Sequence, residues 1–265
     1  GCSDRSLGLR IPNSTVKSGK QLRTKLIELG VLRSTGHEHL RGCVTFPVTD
    51  SSGVTQIYGR RVQRAQVREN GKCKINEEAE KLWLSRPIDG LWNEAALQAC
   101  DEIIVCESII DALTFWCAGY RNVTTTFSSS FFPEQLKQAL LRYNVKRVLL
   151  AYDNDEAGQK ATQRDDIMLY NLGLEVFQIR FPSGMDVNEY AAQMRDGDSQ
   201  WAHNSLGLVI RNADWLGKGA PPSIQTQTPD HLANARERIA EEAAVEAAKK
   251  EAANPPAPQP VAVAA

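Results

Sequence analysis

Between residues 103 and 180 four short apolar runs alternate with three stretches of helix length, a pattern that few folds accept. The runs are 103 to 106, 123 to 126, 147 to 152 and 174 to 180, with 108 to 118, 133 to 143 and 156 to 172 between them. Gly119 and Gly173 stand where helix-ending glycines belong, and Pro133 suits the first turn of its helix. Strands spaced by helices this long join through right-handed parallel crossovers, which predicts a doubly wound α/β sheet. Strands buried on both faces read as continuous apolar runs, as Ile103-Ile104-Val105-Cys106 and Val148-Leu149-Leu150-Ala151-Tyr152 do.

Open α/β sheets bind ligands at the carboxyl ends of their strands. Two of the runs end in acids. Cys106 is followed by Glu107, and Tyr152 by Asp153-Asn154-Asp155 and then Glu156-Ala157-Gly158. The loop after the fourth run carries Asp186 in Gly184-Met185-Asp186-Val187-Asn188-Glu189. An acid pair in a loop is, alone, usually a turn or a helix cap. Acids at the ends of adjacent strands in one sheet are instead a place to hold a divalent metal.

The net charge of -1 conceals an asymmetry. Residues 1–74 carry fourteen Lys or Arg against five Asp or Glu, an excess of nine, and the other 191 carry seventeen against twenty-seven, a deficit of ten. A basic part beside an acidic site suits an enzyme acting on a polyanion, since one neutralises phosphates while the other holds metal. The alternative is a solvated basic surface. There is no apolar run of membrane-spanning length and no charged leader before an apolar segment, so the chain is expected to be cytoplasmic, without a membrane partner. The six cysteines form no CxxC pair and sit partly in apolar runs, as reduced thiols do.

Three regions are expected: a basic amino-terminal subdomain over 1–95, the α/β domain over 96–217, and a linker, solvated helix and Pro/Ala-rich tail over 218–265. In the first, residues 42 to 48 and 54 to 60 read as strands around the turn Asp50-Ser51-Ser52-Gly53. Arg41, Tyr58, Arg60, Arg61 and Arg64 gather there, and Arg with an aromatic on one sheet face grips a nucleic-acid backbone and stacks on bases. Tyr58 and Trp83 have core packing as their alternative. In the third region the helix expected from Thr228 to Ala253 shows a thin apolar stripe of Leu232, Ile239 and Val245.

Glu107 with Asp111, then Asp153-Asn154-Asp155-Glu156-Ala157-Gly158, then Asp186 together resemble the TOPRIM domain of bacterial primases, topoisomerases and related nucleases. Residues 41 to 48 and 57 to 60, with 81 to 93, look like the amino-terminal subdomain of the bacterial replicative primase core and its link to TOPRIM. The resemblance covers roughly residues 35–215. It implies a TOPRIM-type parallel sheet flanked by helices, with a smaller basic α+β subdomain before it. It also implies metal-dependent nucleotidyl transfer making short RNA primers on single-stranded DNA, with nucleoside triphosphates as substrates and a replicative helicase as a possible partner. Glu107, Asp153 and Asp155 are the implied catalytic residues. The same three with Asp186 are the implied ligands of Mg²⁺ or Mn²⁺, and Asp111 and Asn188 support them. Asp111 either orients Glu107 or is an ordinary first-turn helix acid.

Three positions depart from the family pattern: Ser108 stands where Gly is usual, Met185 where Lys is frequent, and Asn188 where a second Asp is expected. Zinc is expected only with an upstream module, since His37-x-His39 with Cys43 lacks a fourth ligand at suitable spacing. Two alternatives remain open: a TOPRIM nuclease, and a non-catalytic nucleic-acid-binding module of a replication or mobile-element protein. A topoisomerase needs a nucleophilic Tyr on a separate large domain, and no Lys or Ser/Thr pattern completes a phosphatase around Asp153.

Overall fold

A computed structural model describes residues 6–50, 53–62, 66–69, 72–75, 81–84, 90–182, 185–193, 199–218, 220 and 222. The chain divides into two compact units, one of Gly1–Glu94 and Glu134–Leu136, the other of Ala95–Pro133 and Lys137–Ala265. The helix expected from Thr228 and the proline-rich tail lie outside the described residues.

In the first unit α1 (Ser6–Arg10) and α2 (Lys17–Glu28) precede the hairpin of β1 (Cys43–Asp50) and β2 (Gly53–Arg61). The hairpin falls where the alternating runs around residues 50 to 53 predict it, with a bulge between Val48 and Thr49. Two further strands, β3 (Gln66–Glu69) and β4 (Lys72–Ile75), form a separate antiparallel ladder. The short β5 (Lys81–Trp83) completes a three-stranded sheet in the order β1-β2-β5.

The second unit is the α/β domain. After α3 (Glu94–Ala99) come β6 (Glu102–Cys106), α4 (Ile109–Cys117), β7 (Val123–Thr125), α5 (Glu134–Arg142), β8 (Arg147–Ala151), α6 (Glu156–Asn171) and β9 (Glu175–Gln178). Then follow α7 (Val187–Gln193), α8 (Ser199–Arg211) and β10 (Asp214–Trp215). The sheet order is β10-β9-β8-β6-β7, with β6 to β9 parallel and β10 antiparallel on the edge beside β9. Every residue of β6 is buried, as a strand covered on both faces requires. Gly119 and Gly173 follow α4 and α6 with φ of 105° and 83°, the left-handed geometry of a helix end. Pro133 stands one position earlier than expected, as the residue that caps α5.

The strand order puts a switch point between β6 and β8. From β6 the chain crosses to β7 on one side, and from β8 it crosses to β9 on the other. Right-handed crossovers therefore put α4 on one face of the sheet and α5 and α6 on the opposite one. Helices α7 and α8 pack with α4. The neighbouring connections diverge at the carboxyl ends of β6 and β8, where Cys106 lies in register with Ala151, and this opens the crevice in which such sheets bind ligands. Among the described residues no helix is long and apolar enough to cross a membrane.

Candidate metal centre

Glu107 leaves β6 directly into that crevice, and Asp153 follows β8 by two residues. The other acids arrive on helix starts. Asp155 caps α6, one of its oxygens accepting from the Gly158 amide at 2.7 Å. Asp186 does the same before α7, accepting from the Glu189 amide at 2.7 Å. Asp111 lies in the first turn of α4, which Ser108 caps. The short polar residues are cap formers, so the local sequence that starts each helix also delivers a carboxylate.

Glycine at 158 is required by a close approach. A Cβ built there would lie 2.0 Å from the Asp153 carbonyl oxygen and 3.1 Å from the Asp153 amide nitrogen. The first turn of α6 thus presses against the backbone of the residue that carries the central acid. Asn154 steadies the same turn by donating to the Phe181 carbonyl at 3.2 Å.

The electrostatics single out Asp153. Its carboxyl is pushed up to about 7, first by burial and then by the charges of Asp111, Glu107, Asp186 and Asp155. The charges that raise it are other carboxylates, so the five acids share one field. Asp111 is also raised, above all by burial, while Ser108 and Asn188 pull it back by hydrogen bonding. The Ser108 hydroxyl and the Asn188 amide each donate to one Asp111 oxygen, both at 2.6 Å. Both oxygens are therefore engaged, and Asp111 with Asn188 ties α4 to α7. The Thr114 hydroxyl donates to the Asn188 carbonyl oxygen and fixes which way the amide faces. Sequence reasoning passed over Thr114. Its signal was the spacing of Ser108, Asp111 and Thr114, one helical turn apart on a single face.

The donor set is all oxygen and all anionic, which suits a hard cation such as Mg²⁺ or Mn²⁺ and not a thiophilic one. A cluster whose central member resists ionisation without a counter-charge fits a cation-binding role. Among the described residues no group of three or more His, Cys, Asp or Glu side chains stands, as placed, where it could hold a metal ion.

The basic residues fare differently. Tyr58 is 5% exposed, with its ring 6.1 Å from Phe46 and 5.0 Å from Trp83. It is a core residue of the small sheet and offers no face to a base. Arg41, Arg60 and Arg61 are half-buried, the last two on adjacent positions of β2 and so on opposite sides of it. Arg64 lies outside the described residues. The histidine cluster does not assemble a zinc site: His39 Nε2 bonds the Trp83 carbonyl at 2.9 Å, and burial pushes the Cys43 thiol up. Cys106 and Cys117 are free thiols.

Comparison with known proteins gives concordant results. Residues 104–191 match the Toprim-like family. The DNA primase of Clostridium acetobutylicum is 28% identical over 203 residues, covering 74% of this chain and 33% of that protein. A DNA primase domain from Pseudomonas aeruginosa superposes with a TM-score of 0.55 at 25% identity, covering 74% of this chain and 60% of that one. The DnaG primase catalytic domain bound to ssDNA superposes with a TM-score of 0.56 at 19% identity, covering 74% and 62%. This chain spans about a third of the length of the curated relatives it matches.

Proposed function

We propose, for a chain whose residues 104–191 are a TOPRIM domain of the bacterial DNA-primase type, that it carries out metal-dependent nucleotidyl transfer on a single-stranded DNA template. The observation that carries the reading is the gathering of five carboxylates at the β6/β8 switch point, where burial and then the other four push the Asp153 carboxyl up to about 7. Asp153 and Asp155 would hold Mg²⁺ or Mn²⁺, with Asp186 as a third ligand. The cation supplies neutralisation of the phosphate oxygens, on which phosphoryl transfer chiefly depends. Asp155 and Asp186 each commit one oxygen to a helix start, which leaves the other for this purpose.

Glu107 accepts the proton of the attacking 3′-hydroxyl or completes the ligand set, both of which are roles a positioned carboxylate can fill. Asp111 and Asn188 hold α4 and α7 together behind it. Arg41, Arg60 and Arg61, with Arg64 beyond them in sequence, neutralise template or triphosphate charge. The DnaG catalytic domain bound to ssDNA supports a single-stranded template. Ribonucleoside triphosphates and a replicative helicase belong to the same reading.

A second reading, a nucleic-acid-binding module without chemistry, is favoured by one observation: the amide of Asn188 stands where a carboxylate would add a further charge beside Asp111. One assay decides. The full chain is incubated with single-stranded DNA, labelled nucleoside triphosphates and Mg²⁺ or Mn²⁺, beside the Asp155→Ala variant. Oligoribonucleotide synthesis lost in the variant is the expected result. Template cleavage without synthesis points to a nuclease, and DNA binding with neither product points to the module.

A further inference from the structure

Asp165 lies on α6, is 1% exposed, and has no role in the site described above. A carboxylate so deeply buried needs partners to offset its lost hydration. Arg164 supplies two of them, Nε to one oxygen at 2.7 Å and Nη2 to the other at 2.8 Å. The third is the Tyr152 hydroxyl, which donates at 2.8 Å. Tyr152 immediately precedes Asp153, so the strand end that presents the central acid is anchored to α6 through its own ring.

Arg164 has one more bond. Its Nη1 donates to the Ser129 carbonyl at 2.8 Å, in the loop between β7 and α5. That loop leaves the sheet next to Glu107, since Thr125 is in register with Cys106 and the Thr126 amide donates to the Cys106 carbonyl at 3.0 Å. It is strained: Phe127 has φ of 65°, in the left-handed region that non-glycine residues avoid. Such a conformation persists only where its surroundings over-determine it. Here the Phe127 amide donates to Thr125 Oγ1 at 3.0 Å, the Thr126 hydroxyl to the Ser128 carbonyl at 2.9 Å, and the Ser130 amide to Ser128 Oγ at 3.1 Å. Arg164 ties this shaped loop to α6.

We propose that Arg164 is a positioning residue for the acidic site: through Asp165 and Tyr152 it fixes the backbone that carries Asp153, and through the Ser129 carbonyl it fixes the loop beside Glu107. The proposal rests on the metal-site reading above. A guanidinium suits the task because one rigid fork serves both oxygens of Asp165 and a carbonyl together, which the single ammonium of Lys cannot.

The test measures Mn²⁺ affinity of the full chain by the loss of the free-ion electron paramagnetic resonance signal. Wild type is compared with Arg164→Met, Arg164→Lys and the shape-preserving Tyr152→Phe, with thermal unfolding recorded in EDTA. Groups that orient metal ligands typically contribute about 10-fold or more in affinity, so Arg164→Met and Tyr152→Phe are expected to bind Mn²⁺ about 10-fold more weakly. Arg164→Lys should recover part of that loss. Amide hydrogen exchange over residues 127–132 should quicken in Arg164→Met, and less so in Tyr152→Phe, which leaves the Arg164 bond to Ser129 in place but removes the Tyr152 hydroxyl's bond to Thr126. A merely structural Arg164 would lower the unfolding temperature while leaving Mn²⁺ affinity and loop exchange at wild-type values, and that result overturns the proposal alone. A wild type that binds no Mn²⁺ overturns the metal-site reading with it.

Discussion

Asp153 keeps its proton to about pH 7, and the direction of that shift has a consequence for stability. The folded-state value lies above the ordinary 3.8, so the folded protein holds this proton more tightly than the unfolded chain does. Stability tied to the proton is complete below about pH 4 and is lost as pH rises through about 7. A divalent cation can take the place of the proton. The rise in unfolding temperature produced by Mg²⁺ should therefore be small at about pH 5 and large at about pH 8, and Asp153→Asn should flatten the difference. A Mg²⁺ effect independent of pH would remove Asp153 from the ligand set. Asn188 gives the complementary case. Asn188→Asp replaces a donor by a second carboxylate against the buried Asp111, which costs about 2 kcal/mol in EDTA from the lost charge-assisted bond alone. Mg²⁺ should narrow that deficit, as chemical denaturation with and without the ion would read. At this scale the acids were legible in the sequence because each follows an apolar run or starts a helix. The engagement of both Asp111 oxygens was not, because it depends on which rotamer the Asn188 amide adopts. Tyr58 misled because an aromatic beside arginines in a strand looks the same whether its face turns to solvent or to Phe46 and Trp83.

The elements around the site are tied at both ends of the sheet by opposite devices. At the amino ends Arg147 of β8 is in register with Glu102 of β6 and with Glu175 of β9, and it donates to them at 3.1 and 2.6 Å. Burial pushes Glu102 up while Arg147 draws it down. Removing one partner of a buried pair leaves the other uncompensated, so Arg147→Met should destabilise the protein by about 3 kcal/mol. The loss should be greater at about pH 8 than at about pH 5, where Glu102 can take up a proton; equal losses would mean that Glu102 keeps one protonation state across that range. At the carboxyl ends the close approach of α6 to Asp153 is the sensitive point. Gly158→Ala forces a methyl against a carbonyl 2.0 Å away and should cost about 2 kcal/mol, with Mn²⁺ affinity falling alongside. If affinity holds while stability falls, the turn adjusts without moving the acid. Strands β6 to β9 and helices α4 to α6 were readable because local periodicity and turn residues agree there. The edge strand β10 and the short β5 were not, since two or three residues carry no periodicity and are set by their partners Phe177 and Tyr58.

For the whole molecule the governing quantity is the split in charge, an excess of nine positive charges over residues 1–74 and of ten negative over the rest. An anionic site that must receive a polyanion gains from a separate basic region, because the basic side chains supply the long-range attraction that the carboxylates oppose. Two separable effects on binding are expected. Affinity for single-stranded DNA should fall steeply with salt, and replacing Arg41, Arg60 and Arg61 together by Ala should lower the slope of log affinity against log salt by about 2, at about 0.7 for each phosphate that is no longer neutralised. Asp153→Asn should leave that slope as it is, because it removes an acid and frees no phosphate, while it abolishes the Mg²⁺-dependent part of binding. Fluorescence anisotropy of a labelled oligonucleotide across a salt series, with Mg²⁺ and with EDTA, measures both. A triple variant whose slope matches wild type would move the nucleic-acid interface away from β2 and its neighbour Arg41, to other basic residues of the first 74.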